Sequence, residues 1–167
     1  IKKIFRDDFD KSQKIDSNKG NGLIFIVGMP RSGTTLLESI IGSNDNVISG
    51  GELISMHQLS GYYYLDEQED AMLERHGNKN IGDIYLNRIS FIKGDKKFFI
   101  DKLPGNYHSI GFIKEFLPAA KIIYIKRNYW DIAISIYKQF YVSNIPFAAS
   151  FFNIAVNIAN HEELIRF

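Results

Sequence analysis

The stretch 23–42 constrains the fold of this chain more than any other part of its sequence. It opens with "LIFIVG" (23–28), a continuous apolar run rich in β-branched residues, which is typical of a strand buried on both faces of a sheet. After "MPRSG", apolar residues recur at positions 36, 37, 40 and 41, the spacing of one helical face, and Gly42 marks the expected end of the helix. The segment therefore predicts a buried strand, a glycine-rich turn and a helix.

The turn between this strand and this helix has the spacing of a phosphate-binding loop. Gly28 and Gly33 are five positions apart and are followed by Thr34 and Thr35. This matches G-x-x-x-x-G-K-[ST] except that Thr34 stands in the position of the lysine, while Arg31 supplies a cation from inside the loop. Because the N–H groups that begin a helix bind anions, we expect a phosphate-like ligand here. A turn that served packing alone would need neither the arginine nor the threonine pair.

The remaining hydrophobic patterns alternate between strand and helix. Further short strands are predicted in "NVIS" (46–49), "KKFFID" (96–101) and "KIIYIK" (121–126). Helices are predicted to start at Glu52 and run over 53–64, then over 66–76, 80–93, 106–118 and 130–140, with a last helix from residue 146. Such alternation predicts an α/β fold of the P-loop type, in which three layers place a parallel sheet between helices. Ligands of these sheets bind beyond the carboxyl ends of the strands.

Length, charge and cysteine content exclude several classes of protein. With 167 residues, 45% of them apolar, the chain has the size of one domain. A net charge of +1 gives no excess for binding nucleic acid, and the absence of cysteine excludes disulfides and thiolate metal sites. No apolar run reaches the roughly 18 residues that span a bilayer. The polar residues 1–21 are predicted to be a linker or the tail of a preceding element, and residues 22–167 to form the domain.

Cationic side chains follow the ends of three predicted strands. Arg31 lies beyond the first strand, Lys102 directly follows "KKFFID", and Lys126 and Arg127 close "KIIYIK". If these strands are parallel neighbours, their carboxyl ends meet at one edge of the sheet, and the four cations converge there. Beside a glycine-rich loop that opens a helix, they predict a site for a ligand with several negative charges.

Several motifs resemble those of sulfotransferases. "PRSGTTLLE" resembles the 5′-phosphosulfate loop of that family, and "RNYWDIAISIY" resembles its 3′-phosphate motif, an arginine followed eight residues later by a serine, here Arg127 and Ser135. "GGELI" matches a Gly-Glu element that follows the loop in tyrosylprotein sulfotransferases. "DKLPGNYHSIGFIKEFLPAAKIIYIKR" is similar to the middle of bacterial sulfotransferases that often follow tetratricopeptide repeats. The resemblance covers about residues 22–145.

The resemblance implies a reaction and a set of roles. The donor would be 3′-phosphoadenosine 5′-phosphosulfate (PAPS), the acceptor a hydroxyl of a tyrosine, a carbohydrate or a small alcohol, and no metal would take part. In the tyrosylprotein group the loop arginine, the Gly-Glu glutamate and a lysine before a proline are catalytic, which match Arg31, Glu52 and Lys102. Arg127 and Ser135 would bind the 3′-phosphate. The loop residues implied to bind the donor are Pro30, Arg31, Ser32, Gly33, Thr34 and Thr35.

The chain also departs from the family's pattern. Tyr129 stands where a proline usually follows the arginine of the 3′-phosphate motif. Family domains run well beyond residue 167, so we expect the domain to be incomplete at its C-terminus, without the part that normally helps to hold adenine, the 3′-phosphate and the acceptor. The chain begins with Ile1 rather than Met. The bacterial resemblance favours tetratricopeptide repeats ahead of the domain in the full-length protein, and a cytoplasmic location.

Two other functions remain compatible with the sequence. A P-loop nucleotide kinase or NTPase would use Asp101 as its magnesium-directed carboxylate, although a threonine replaces its lysine and Lys102 directly follows the aspartate. A truncated domain could instead bind nucleotide, or nothing, without catalysis. Among single residues, Glu52 could only cap a helix, Asp101 could be an ion-pair partner that orients Lys102, and Ser135 could be a surface residue. The histidines, at 57, 76, 108 and 161, lack metal-ligand spacing and are predicted to be surface or core residues.

Overall fold

A four-stranded parallel sheet forms the centre of the protein. The computed structural model describes residues 15–63, 81–139 and 146–166. The sheet has the order β2-β3-β1-β4, and each of its three strand pairs is parallel. The strands are β1 (Leu23–Gly28), β2 (Val47–Ser49), β3 (Phe98–Asp101) and β4 (Lys121–Ile125). The predicted α/β class, with a parallel sheet flanked by helices, is therefore confirmed, and the strand predictions are right to within two residues at their ends.

Helices connect the strands and cover the sheet. The α-helices are α1 (Thr34–Gly42), α2 (Ser55–Tyr63), α3 (Ile81–Lys93), α4 (Ile110–Phe116), α5 (Tyr129–Tyr137) and α6 (Phe151–Arg166). Two 3₁₀ turns, Pro104–Ser109 and Pro146–Ala149, precede α4 and α6. The helix predicted at 66–76 lies outside the described residues. No helix in the described ranges is long and apolar enough to cross a membrane.

The prediction that a helix starts at Glu52 is wrong, because α2 begins only at Ser55. The Gly50–Gly51 turn before it is bound to its neighbours: the Gly51 N–H donates to the Ser49 Oγ (3.1 Å), and the Gly51 carbonyl accepts from the Lys102 N–H (3.0 Å). Gly51 also has a φ of 67°, in the left-handed region that a helix excludes. Glu52 therefore lies in a turn fixed to the end of β3 rather than in the first turn of a helix.

The helix predicted over 106–118 also begins differently. Its first part is the 3₁₀ turn Pro104–Ser109, and the α-helical part covers only Ile110–Phe116. Pro104 lies in the first turn, where its missing N–H costs no hydrogen bond. The final helix similarly starts at Phe151 rather than at 146. Ser150 precedes its first residue, and the Ser150 Oγ accepts a hydrogen bond from the Asn153 N–H (3.2 Å).

The buried apolar residues form two clusters. Leu23, Phe25 and Val27 alternate along β1 and point into the larger cluster, which α2, α3 and α4 cover. The smaller cluster joins Met29 to the apolar faces of α5 and α6. The apolar face predicted for α1 is only partly covered, since Leu37 and Ile41 are half-buried while Leu36 and Ile40 are exposed.

Residues 15–22 form turns that contact the rest of the fold. Ile15 packs against the larger core cluster, and the Lys19 carbonyl accepts a hydrogen bond from the Ala119 N–H (2.9 Å). Lys19 also forms an ion pair with Asp83 of α3 (2.8 Å). The division of the chain between residues 21 and 22 stays a prediction.

Gly28 permits a close approach of β1 to β4, and its substitution tests this packing. A Cβ on Gly28 would lie 2.6 Å from the Ile125 carbonyl oxygen, and the glycine φ of 156° is rare for other residues. We expect Gly28→Ala to lower the free energy of unfolding by at least about 2 kcal/mol in urea denaturation. Gly42→Ala is the matched control, because a Cβ there meets nothing within 4 Å. It should be neutral or stabilise by up to about 1 kcal/mol. Equal unfolding midpoints for the two variants would contradict the close approach.

Candidate functional site

The loop after β1 has the backbone form of an anion-binding turn. Arg31 (φ 68°) and Gly33 (φ 107°) both have left-handed conformations, and α1 begins directly after them at Thr34. The first N–H groups of an α-helix have no intrahelical partner, and they point out of its N-terminus. The N–H of Ser32, just before this helix, is already used, because it donates to the Met29 carbonyl (3.2 Å). The N–H groups available to a ligand therefore start at Gly33.

The Ser32 side chain adds a second polar feature to the loop. Its Oγ is buried and has no hydrogen-bond partner within the described part of the chain. A buried hydroxyl without a partner is costly, since desolvation is not repaid by a hydrogen bond. The loop thus holds a donor that a bound anion would satisfy.

A first group of charged residues joins this loop to α5. The Arg31 Nε donates to the Ser135 Oγ (2.9 Å), and the Arg127 Nη1 donates to the Arg31 carbonyl (3.2 Å). The Arg127 Nε also lies 3.5 Å from a carboxylate oxygen of Asp131, which follows four positions later in the first turn of α5. Three of the residues predicted for the donor, which lie as much as 104 positions apart in the sequence, are therefore adjacent in space.

The start of α5 explains how the chain manages without the usual proline. Asn128 is the N-cap, and its Oδ1 accepts hydrogen bonds from the N–H groups of Trp130 (2.9 Å) and Asp131 (3.4 Å). An asparagine cap satisfies the free N–H groups that begin a helix. Tyr129 then takes the first helical position, and the exposed Trp130 follows it. The helix therefore begins two positions after Arg127 with an asparagine cap and without a proline.

A second group of charged residues surrounds Lys102 at the end of β3. Its Nζ lies 2.5 Å from an Oε of Glu52 and 3.6 Å from an Oε of Glu38. The Lys102 side chain is 5% exposed and that of Glu38 13%, whereas that of Glu52 is 58% exposed. A buried ammonium is therefore shared between one enclosed carboxylate and one that solvent or a substrate can reach.

The reading of Asp101 as an ion-pair partner of Lys102 is wrong. Successive side chains along an extended chain point to opposite faces, so Asp101 points into the core while Lys102 points to the opposite side, towards Glu38 and Glu52. The Tyr85 hydroxyl donates to one Asp101 oxygen (2.7 Å), and the Asn106 amide donates to the other (3.0 Å). Burial raises the pKa of Asp101 to about 7 although both donors favour its charged form, and burial together with Asp101 raises the pKa of Tyr85.

Two polar residues of this region were missed from the sequence. Glu38 is the last residue of the loop motif, and no role was predicted for it. It lies one helical turn after Thr34 and therefore on the same face of α1. That spacing was the available signal. Asn106 carried no signal at all, because its contact with Asp101 depends on the 3₁₀ turn at Pro104–Ser109.

Lys126 is turned away from the two charged groups. Its Nζ pairs with Glu162 of α6 (3.3 Å) and lies over the Tyr129 ring, 5.2 Å from its centroid. The prediction that the four cations after the strands converge at one edge of the sheet is therefore wrong for Lys126. The side chain after β4 that faces the loop is Arg127.

The histidines agree with the prediction of surface and core positions where they are described. His57 and His108 are exposed, His161 is buried, and His76 lies outside the described residues. His161 packs edge-on against Tyr107, with 4.4 Å between ring centroids, and neither ring nitrogen has a hydrogen-bond partner in the described ranges. Burial lowers the pKa of His161 to about 4, so this ring is neutral at pH 7. Among the described residues, no three His, Asp or Glu side chains gather into a metal-binding group.

Comparison with known proteins identifies the family of the chain. A model described as the sulfotransferase family matches residues 24–161, more than half of the chain, so the protein belongs to the sulfotransferase family. It is 36% identical to an uncharacterized protein of Aquifex aeolicus over 127 residues, 70% of this chain and 17% of that protein. It is 28% identical to a protein-tyrosine sulfotransferase of Drosophila melanogaster over 129 residues, 71% of this chain and 26% of that protein. The chain thus spans at most about a quarter of the length of these relatives.

The buried Asp101 carboxyl gives a pH dependence of stability that can be measured. The unfolded chain releases this proton near pH 3.8, whereas the folded protein holds it until about pH 7. Between these values the folded state binds more protons, so this group makes the free energy of unfolding fall as pH rises from about 4 to 7. We expect Asp101→Asn to remove that fall, because a neutral amide can still bond Tyr85 and Asn106. Urea denaturation at pH 5 and pH 8 measures it.

The control for this comparison is the exposed residue Asp45, substituted as Asp45→Asn. The stability difference between wild type and Asp101→Asn should favour wild type more at pH 5 than at pH 8, while the difference for Asp45→Asn should stay constant. A difference for Asp101→Asn that is the same at both pH values would show that the carboxyl ionises alike in both states. His161 contributes a slope of opposite sign, which both variants share with wild type.

Proposed function

We propose that this protein transfers a sulfuryl group from PAPS to the hydroxyl of an acceptor. The observation that carries the proposal is the contact of the loop arginine, Arg31, with Ser135 and Arg127. Two motifs that are far apart in the sequence meet at one edge of a parallel sheet, next to the N-terminus of a helix. This arrangement suits a ligand with phosphate groups at two of its ends.

The loop residues fit the 5′-phosphosulfate of the donor. The N–H groups from Gly33 onward, the hydroxyls of Thr34 and Thr35, and the unpaired Oγ of Ser32 are donors that phosphate and sulfate oxygens accept. A transferring sulfuryl group carries less negative charge than a γ-phosphoryl group. A neutral threonine in place of the lysine is therefore consistent with this donor, with Arg31 as the cation of the loop.

Arg127 and Ser135 would hold the 3′-phosphate. A guanidinium presents parallel N–H donors that match phosphate oxygens, and the Ser135 hydroxyl can donate while it accepts from Arg31. Binding energy from this remote phosphate can be used to orient the reacting sulfur. The exposed fork of Arg127, bound to Asp131 at one edge, leaves further donors for the ligand.

The residues around Lys102 suit the chemical step. The acceptor oxygen would form a bond to sulfur as its proton passes to Glu52, whose exposed carboxylate a substrate can reach. The bond from sulfur to the bridging oxygen breaks, and its electron pair stays on the 5′-phosphate. Arg31 and Lys102 would stabilise the negative charge that develops there.

A nucleotide kinase or NTPase receives less support from the same contacts. In that reading Asp101 would direct magnesium, but its two oxygens accept hydrogen bonds from Tyr85 and Asn106 and the residue is 1% exposed. The neighbouring cation, Lys102, faces the site instead. These contacts favour a structural role for Asp101.

Transfer of ³⁵S-labelled sulfate from PAPS tests the proposed function. We expect labelled product with an acceptor panel of tyrosine peptides, carbohydrates and small alcohols, and no loss of activity in the presence of a chelator. Tyrosine peptides enter the panel because one relative is a protein-tyrosine sulfotransferase. Magnesium-dependent hydrolysis of ATP without sulfate transfer would overturn the proposal in favour of an NTPase. Binding of 3′,5′-bisphosphoadenosine with no transfer to any acceptor would favour a nucleotide-binding domain without activity.

The two arginines should differ in their effects on binding and transfer. Arg31→Ala should abolish transfer, and it should weaken the binding of 3′,5′-bisphosphoadenosine less than Arg127→Ala does, because Arg127 would contact the 3′-phosphate directly. Calorimetric titration of both variants measures the binding. Arg88→Ala, which removes an exposed arginine of α3, serves as the control and should leave both quantities unchanged. The opposite order of affinities would show that the two roles are assigned the wrong way round.

A further inference from the structure

Glu38 belongs to a closed ring of contacts that includes the predicted catalytic lysine. One Glu38 oxygen accepts a hydrogen bond from the Ser49 Oγ, and the other faces the Lys102 Nζ (3.6 Å). Ser49 accepts from the Gly51 N–H (3.1 Å), and the Gly51 carbonyl accepts from the Lys102 N–H (3.0 Å). The ring therefore connects α1, the end of β2, the turn that carries Glu52, and the end of β3.

Burial divides the two carboxylates around Lys102 into different kinds of partner. The Lys102 ammonium and Glu38 are largely enclosed, whereas more than half of the Glu52 side chain is exposed. An ammonium removed from water needs a charge partner that is also fixed, because an unpaired buried charge is strongly destabilising. Glu38, held on its other oxygen by Ser49, meets this requirement.

We propose that Glu38 is a positioning residue, which holds the Lys102 ammonium in place while Glu52 exchanges a proton with the acceptor. The proposal rests on the proposed function in that Glu52 is taken as the proton acceptor. In this role Glu38 would contact neither donor nor acceptor. It acts through Lys102 on one side and, by way of Ser49 and Gly51, on the turn that bears Glu52.

The charge balance explains why two carboxylates are needed. With both ionised, Lys102 has two negative partners and Glu52 can give up part of its contact to an acceptor hydroxyl. When Glu52 takes the acceptor proton it becomes neutral, and Glu38 remains as the counter-ion of the enclosed ammonium. Without Glu38, Lys102 would bind Glu52 alone, and protonation of Glu52 would leave the enclosed ammonium with no protein carboxylate to hold it in place beside the departing phosphate.

Substitutions of Glu38 distinguish a role of its charge from a role of its size and shape. Glu38→Gln keeps the size of the side chain and an acceptor for Ser49 but removes the charge. We expect kcat to fall about tenfold to a hundredfold, at or below the lower end of the roughly 10²–10⁴-fold that general acid–base catalysis contributes, while KM for PAPS changes little. Glu38→Asp keeps the charge and should recover part of kcat. Glu115→Gln, an exposed glutamate of α4, is the matched control and should behave as wild type. A variant series in which Gln is better than Asp would overturn the proposal.

A double-mutant cycle with Lys102→Gln tests the route of the effect. Because Glu38 acts through Lys102, Glu38→Gln should lower kcat little further in the Lys102→Gln background. The same four proteins are also compared by urea unfolding, which requires no activity. Additive changes in unfolding free energy would overturn the contact and the proposal with it. A different outcome separates the two proposals. If the changes in unfolding free energy are non-additive but the wild-type protein transfers no sulfate, the contact is supported and the proposed function is overturned instead.

Discussion

The parallel pairing of β1 between β3 and β4 is the constraint on which the site depends. Gly28 at the end of β1 is in register with Ile125 at the end of β4, and Phe25 is in register with Asp101 at the end of β3. The three segments that follow these strands therefore leave the same edge of the sheet. Helix α1 starts from the central segment, so its first two turns lie between a cation that follows β3 and one that follows β4. Without this pairing the charged residues would be dispersed over the surface.

Helix α1 links the two charged groups of the site. Its first turn continues the loop that holds Arg31, whose side chain reaches Ser135 of α5. Its second turn carries Glu38, which faces Lys102 on the β3 side. A shift of this one helix would change both groups together. The groups proposed for the 3′-phosphate and for the reacting sulfur would thus both contact segments that α1 joins.

The sequence was sufficient for those features that depend on local pattern. Continuous apolar runs identified the strands, because a strand covered on both faces has no polar alternation. The spacing of Gly28 and Gly33 located the turn, and the apolar face of residues 130–140 located α5. The turn between β1 and α1 was predicted correctly because a link between a buried strand and a helix leaves few backbone conformations, and glycines mark the positions that need them.

Features that depend on side-chain direction or on long-range contacts could not be obtained in this way. Asp101 and Lys102 are neighbours in sequence, and only the pleat of β3 decides which of them enters the core. Lys126 follows a strand just as Lys102 does, but Glu162, 36 positions away, draws it towards α6. The prediction that a helix starts at Glu52 failed because two hydrogen bonds hold the Gly-Glu turn out of the helix. The Lys102 N–H donates to the Gly51 carbonyl, and the Gly51 N–H donates to the Ser49 Oγ. For Lys126 and for the Gly-Glu turn, the deciding partner lies on another element.

The asparagine cap of α5 has a practical consequence. Trp130 is the single tryptophan of the sequence, and its backbone N–H is the first that Asn128 binds. Its indole is largely exposed and lies three positions after Arg127. Intrinsic fluorescence excited at the indole band therefore originates from one helix end beside the loop. The protein carries a built-in optical reporter at this place, with no need for a label.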